Sequence, residues 1–265
     1  MILQYIQWNV DPTIFSIGPL SVRWYGLLFA SSFVCGYYIM FKVFKKENIP
    51  FVLLDKLTTY MVIATVVGAR LGHCLFYEPE VYLSNPILIF KIWEGGLASH
   101  GAAIGIIIAL YYFSKKTKRP ILWVMDRIVL TVALAGFFIR MGNLMNSEII
   151  GKVTDLPWAF YFSNHYNPIV AMEPRHPAQL YEALAYLSIF IFLITYYYKR
   201  FEKLILGELL SFFFILVFGA RFFLEFLKED QVGFEAGMSL NMGQLLSIPF
   251  VLLGGIILFI QYRKA

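Results

Sequence analysis

The chain has 265 residues, of which 59% are hydrophobic and 18% aromatic, and its mean hydropathy is +0.68. That exceeds the roughly 45–50% apolar share of soluble globular proteins, an excess that a bilayer absorbs and a soluble core does not. The net charge of +5 does not point to nucleic acid, because the basic residues fall in short clusters between apolar runs, a pattern that sets membrane topology.

Cys35 and Cys74 are the only cysteines and both lie in apolar runs, so neither a disulfide framework nor a CxxC metal or redox site is expected. The N-terminal stretch, about 1–19, lacks a basic n-region and a small-residue cleavage site, and Pro12, Gly18 and Pro19 interrupt its apolar residues. It is read as a retained, partly interfacial segment.

Seven apolar runs then approach the length needed to cross about 30 Å of hydrocarbon, near 20–41, 57–76, 97–113, 122–140, 179–198, 206–224 and 242–262. The third is short and is expected to extend back into "WEGGLAS". The fold class is therefore an all-α integral membrane protein with seven transmembrane helices, forming a single polytopic domain over 1–265. The connection at about 141–178, with "NHYNP" and "EPRHP", is too polar for lipid and too long for a plain turn, which predicts a small extramembrane cap of irregular structure. No internal repeat supports an inverted-repeat transporter.

Every second connection is basic: Lys42, Lys45 and Lys46; Lys115, Lys116, Lys118 and Arg119; Lys199, Arg200 and Lys203; then Arg263 and Lys264. The positive-inside rule puts the C-terminus in the cytoplasm and the N-terminus outside. With that topology Tyr25, Arg70, His100, Arg140, Arg221 and Glu225 all lie toward the outer leaflet, so the site is expected there.

Intramembrane arginines cost a few kcal/mol and normally face a bundle interior or a wet cavity. The structural reading is that Arg70, Arg140 and Arg221 snorkel or pair with Glu78, Glu148 and Glu225; the functional reading is a phosphate clamp, since the guanidinium fork matches phosphate and stays charged. At the outer face of a bacterial-type membrane the abundant phosphates belong to lipid headgroups. Arg140 opens "RMGNLMNSEIIG", where Asn143, Asn146, Glu148 and Gly151 follow within a short stretch. His100 sits among Gly95, Gly96, Gly101 and Gly105, either as a hydrogen-bonded histidine in a helix contact or as a base. His73, His165 and His176 form no ligand spacing with it, so no metal site is expected. "RHPAQLYEA" reads as a proline-led helix start with Glu182 in its first turns. "NMGQLLSIP" places Asn241 and Gln244 where they cap the last span or line a cavity. GxSxG, P-loop and Asp-rich metal motifs are absent.

Taken together, "RWYGLL", "GARLGHCLFYEPEVYLSNPILIFKIWEGGLASHG", "IRMGNLMNSEIIG", "RHPAQLYEAL", "GARFFLEFLKED" and "MGQLLSIP" resemble the phosphatidylglycerol–prolipoprotein diacylglyceryl transferase family over almost the whole chain. The resemblance implies transfer of the diacylglyceryl group of phosphatidylglycerol to the lipobox cysteine thiol of a prolipoprotein signal peptide, releasing glycerol phosphate, in the bacterial inner membrane. It carries functional positions onto Tyr25, His100, Arg140, Asn143, Glu148, Gly151, Arg221 and Glu225. His100, Arg140, Arg221 and Tyr25 are expected to be catalytic; Arg140, Asn143, Glu148, Gly151, Arg221, Glu225 and Arg70 are expected to bind the phospholipid. Two positions depart from the family pattern: Ala102 follows His100-Gly101 where a second glycine is usual, and Lys228 stands where arginine is common. No metal or organic cofactor is implied, because the nucleophile comes from the substrate and the leaving phosphate needs only cations. The competing classes are a channel or transporter for an anionic solute and another phospholipid headgroup transferase.

Overall fold

The computed structural model describes residues 5–18, 20–92, 95–230, 235 and 237–264. Its elements in chain order are β1 (Ile6–Trp8), β2 (Thr13–Ile17), β3 (Leu20–Arg23), α1 (Trp24–Lys46), α2 (Phe51–Phe76), α3 (Pro79–Ser84), α4 (Ser99–Thr117), α5 (Ile121–Met145), β4 (Phe160–Phe162), α6 (Pro168–Ala171), α7 (Ala178–Arg200), α8 (Glu208–Phe213), α9 (Gly219–Leu224) and α10 (Met242–Tyr262). A π-helical stretch, Phe214–Phe218, joins α8 to α9. Among the described residues, six helices are long and apolar enough to cross a membrane: Trp24–Lys46, Phe51–Phe76, Ile121–Met145, Ala178–Lys203, Glu208–Leu227 and Met242–Tyr262.

The third expected span forms α4, a helix of 19 residues whose last turn carries Lys115 and Lys116. It is not one of the six, because its polar first turn and terminal lysines leave too short an apolar stretch. Its expected extension back into "WEGGLAS" does not form: the helix begins at Ser99 and residues 95–98 are not helical, while residues 93–94 lie outside the described residues, as do residues 1–4 and 19 of the N-terminal segment.

The chain forms two compact units, Met1–Gly36 with Ile128–Ala265, and Tyr37–Arg127. In the second, α2 and α4 approach until their backbones touch. A Cβ added to Gly72 would lie 2.7 Å from the Gly101 Cα, and one on Gly105 would lie 3.3 Å from the Gly68 Cα. Glycines four residues apart on both helices permit this approach, the usual solution where lipid removes the hydrophobic drive for helix association. Arg127 in this unit pairs with Glu47 at 3.0 Å, sits 3.8 Å from Asp126 and stacks over Trp123, so the "DR" pair at 126–127 belongs to a local ion cluster.

In the first unit the N-terminal segment is more ordered than its composition suggests. Asp11 accepts the Thr13 N–H at 2.7 Å, β2 and β3 form a hairpin turning at Gly18 with φ +59°, and β1 pairs in parallel with β4. Residues 146–177 are built from short pieces, with Leu144, Ile150, Phe160 and Phe162 as a buried core against which Trp8, Met141, Val170 and Leu180 pack. The Trp8 indole donates to the Leu144 carbonyl at 2.9 Å, an acceptor at the end of α5 that it shares with the Ser147 N–H at 3.0 Å.

Candidate active site

The first unit gathers most of the expected residues. Helix α5 continues past the predicted end of its span to Met145, so Arg140 and Asn143, three apart, share a helix face. Arg140 Nη1 donates to the Asn143 amide oxygen at 3.2 Å, and the Asn143 amide nitrogen donates to Glu148 Oε1 at 2.7 Å. One amide therefore bridges a cation and an anion, and only one orientation of it satisfies both. The Asn146 amide nitrogen also reaches Glu148, at 3.4 Å, and Gln179 donates to the Glu148 main-chain carbonyl at 2.6 Å.

Strained backbone holds Glu148 on both sides. Ser147 has φ +54° and Ile149 φ +57°, a left-handed region that is uncommon for serine and an outlier for a β-branched residue. Such strain is retained where surrounding contacts over-determine a functional geometry. Gly151 closes the motif beneath other chains. A Cβ there would lie 2.5 Å from the His176 Cβ and 2.8 Å from the Leu227 carbonyl oxygen, while its N–H donates to the His176 carbonyl at 3.0 Å. Gly151 thus permits close approach of the 150–152 and 227–229 segments, which bond through Lys152 to Leu227 and Glu229 to Ile150.

Arg140 does not pair with Glu148. Its ion-pair partner is Glu182 on α7, with Nε to Oε2 at 2.9 Å, and it also lies beside the Tyr186 hydroxyl. Arg221 pairs only loosely with Glu225, at 4.0 Å, because Lys228 holds the same carboxylate at 3.0 Å and reaches Glu182 at 3.8 Å. The π-helical stretch precedes α9 directly, and such bulges shift the face presented by the residues that follow. Gly243 lies against the Glu225 carboxylate, where a Cβ would be 2.5 Å from Oε1. Tyr25 lies against Gly142, a Cβ there falling 2.7 Å from its ring, with Glu148 and Arg140 as charged neighbours. The result is three cations, Arg140, Arg221 and Lys228, interleaved with Glu148, Glu182 and Glu225. Burial lowers the imidazoles of His165 and His176, in the 146–177 segment, below their ordinary value.

Arg70 and His100 belong to the second unit. Arg70, expected to bind the phospholipid, is 3% exposed, and its fork is committed to main-chain carbonyls: Ile89 at 2.8 Å, Leu88 at 2.6 Å, Gly95 at 2.6 Å and Gly96 at 3.2 Å. It also lies over the Tyr82 ring. The carbonyls of an irregular segment need donors, and five N–H groups on one planar head supply them. Together with the Ala98 N–H donating to the Ala69 carbonyl at 2.9 Å, Arg70 fixes the approach to α4. His100 is the second residue of α4 and is exposed.

Glu182, Lys228, Gln179 and Tyr186 are the members of the cluster that sequence reasoning left out of the site. The signal for Glu182 was a carboxylate in the first turns of an apolar span, which requires a buried cation. Asn241 and Gln244 form a capping box at the start of α10, so the capping alternative holds. Among the described residues no group of three His, Cys, Asp or Glu side chains suits a metal ion.

Residues 12–260 match the family model described as prolipoprotein diacylglyceryl transferase. The chain is 47% identical over 243 residues to the phosphatidylglycerol–prolipoprotein diacylglyceryl transferase of Chloroherpeton thalassium, covering 90% of this chain and 87% of the relative. It is 48% identical over 231 residues to the protein of that name from Tolumonas auensis, covering 87% of each. It is 42% identical over 253 residues to that of Bacteroides fragilis, covering 91% of this chain and 90% of the relative.

Proposed function

The chain belongs to the prolipoprotein diacylglyceryl transferase family, and from that premise we propose that it transfers the diacylglyceryl group of phosphatidylglycerol to the thiol of a lipobox cysteine in a prolipoprotein signal peptide, with release of glycerol phosphate. The sulfur–carbon bond to the diacylglyceryl carbon forms as that carbon's bond to the phosphate oxygen breaks. The thiol proton passes to a base, and the phosphodiester leaves as a monoester with added negative charge. Cations aimed at that developing charge lower the barrier.

The observation that carries this reading is the Arg140 and Arg221 pair in one cluster, with Arg221 only 4.0 Å from its nearest carboxylate and its side chain 33% exposed. Arg221 is the guanidinium with capacity to spare, and Arg140 is oriented beside it by Glu182 and Asn143. Tyr25, Asn143, Glu148, Gly151 and Glu225 shape the phospholipid site around them. His100 is the base for the thiol proton, and Arg70 serves the site by fixing the segment that leads into α4. The protein acts as one polytopic domain of the bacterial inner membrane, with residues about 1–19 at the interface and about 141–178 forming an outer cap. Its N-terminus is outside, its C-terminus cytoplasmic, and the reaction occurs toward the outer leaflet.

An anion pore would need polar lining through the bilayer. Within the first unit, residues 128–139, 183–195 and 209–220 contain no charged side chain, which favours the enzyme. The decisive experiment incubates purified protein with phosphatidylglycerol and a lipobox peptide and weighs the peptide. A diacylglyceryl mass increment on the cysteine supports the assignment; an unmodified peptide with intact, folded protein rejects it.

A further inference from the structure

Two cations compete for Glu225. Lys228, three residues on, holds its Oε2 at 3.0 Å with 1% of the lysine side chain exposed; Arg221, four residues back, stands at 4.0 Å with 33% exposed. The lysine is fixed by its own backbone, which bridges to Gly151 and donates to the Glu225 carbonyl at 3.2 Å. The carboxylate is fixed as well, because the first turn of α10 at Gly243 leaves it no room to swing. Glu182, the only other carboxylate within 4 Å of Lys228 among the described residues, already faces Arg140 at 2.9 Å. The consequence falls on Arg221, whose Nε is buried and donates to no protein acceptor. A buried guanidinium donor without a partner is costly, so it is kept where something else is to be bound.

We propose that Lys228 is a positioning residue that occupies Glu225 and thereby keeps the Arg221 guanidinium unpaired and available to a phosphate-bearing ligand. This rests on the phosphate-clamp reading given above and deepens it. The task assigned to Lys228 is to neutralise a neighbouring carboxylate, which needs a point charge and no planar fork. Lysine therefore suffices at this position. Arg221 is the residue that needs the fork. Removing the lysine charge leaves Arg221 as the cation within 4 Å of Glu225 among the described residues, with Arg140 acting on it from farther away, and Arg221 then closes the gap and withdraws from the ligand.

The test reads Arg221 directly. The full-length protein in detergent is treated with phenylglyoxal, and modification of Arg221 is followed by peptide mass spectrometry with and without glycerol phosphate. In Lys228→Met, Arg221 labelling is expected to slow by about tenfold, the scale of one charge-assisted hydrogen bond. Lys228→Arg is expected to label like the parent, and Lys228→Met combined with Glu225→Gln to regain the parent rate. Equal labelling in the parent and Lys228→Met overturns the proposal, as does failure of the double variant to recover. Should thermal melting show Lys228→Met unfolded, Lys228→Gln replaces it, with the same slowing expected and the same equality fatal. The clamp reading fails separately: it is lost if glycerol phosphate leaves parent Arg221 labelling unchanged, whatever Lys228 does.

Discussion

Arg140 on α5 and Glu182 on α7 face each other at 2.9 Å, with 13% and 0% of their side chains exposed. Burying both charges is expensive, and the pair persists because each removes the other's penalty. Breaking such a pair from one side costs about 3–5 kcal/mol, since the remaining charge stays buried and unpaired. Among the described residues Lys228 is the only other cation within 4 Å of Glu182. Glu182→Ala is therefore expected to strand Arg140 and lower the melting temperature in detergent by roughly 6–20 °C, at about 2–4 °C per kcal/mol for a chain of this size. Glu182→Gln, which keeps an acceptor, should lose less. A Glu182→Ala melting curve superimposed on the parent's would mean the pair contributes nothing.

The phosphate clamp predicts that charge alone is not enough at 140 and 221. Arg140→Lys and Arg221→Lys should each lower kcat/KM for phosphatidylglycerol by at least about tenfold, because lysine lacks the bidentate fork and a lost charge-assisted hydrogen bond costs about 1.5–3 kcal/mol. Both variants should still insert and purify. Initial rates with a lipobox peptide settle it, and parent-like rates in both would reduce the arginines to structural roles.

The apolar spans were legible because hydropathy over a 20-residue window is a local property. The N-terminal strands were not: β1 pairs with β4 some 150 residues away, and only the folded chain brings those edges together. Within the site, the Arg140 to Asn143 relationship follows from helical spacing, yet the carboxylate that Arg140 chooses does not. Glu148 is near in sequence but lies beyond the end of α5, where two asparagines hold it, whereas Glu182 arrives by packing of α7. Arg70 shows the same limit. A buried arginine satisfied by carbonyls and one reserved for phosphate look identical in sequence, because main-chain acceptors carry no residue signature. The competition for Glu225 was hidden too, since Arg221 and Lys228 sit at comparable spacings from it and burial decides between them.

The alternating basic connections predict which face each loop occupies. In a background carrying Cys35→Ala and Cys74→Ala, a cysteine replacing Lys116 or Lys203 should react with a membrane-impermeant maleimide only from the cytoplasmic side. One replacing Asn164 should react only from outside. Outside labelling at 116 or 203 would remove the shared leaflet on which the proposed roles of His100 and Arg140 depend.

Ser147 carries two costs that glycine would remove. Its φ of +54° is unfavourable for a residue with a Cβ, and its hydroxyl, 1% exposed, has no hydrogen-bond partner in the protein. Relief of left-handed strain is worth about 1–2 kcal/mol, and removing an unsatisfied buried hydroxyl adds to it. Ser147→Gly should raise the melting temperature by a few degrees. Ser147→Val, which keeps the strain and adds branching, should lower it. A stabilised Ser147→Gly with reduced activity would indicate that tension around Glu148 serves the reaction, whereas a destabilised one would contradict the strain account.

His100 is proposed to accept the lipobox thiol proton. Its position at the start of α4, exposed and approached through the segment that Arg70 fixes, leaves the imidazole accessible to a substrate. Only a neutral imidazole ring accepts a proton. Acidification should therefore depress the rate of the parent enzyme. His100→Gln should lose most of the rate at neutral pH, where general base catalysis typically contributes about 10²–10⁴-fold. It should recover part of that rate at alkaline pH, because a free cysteine thiol ionises near 8.5 and then needs no base. The alternative is that Arg140 and Arg221 lower the thiol's own pKa by their field and that His100 only orients a helix. Single-turnover rates from about pH 5.5 to 9.5, with saturating phosphatidylglycerol, separate the two. A His100→Gln profile that steepens toward high pH and converges on the parent supports the base, whereas one running parallel to the parent at every pH leaves the arginine field as the activator.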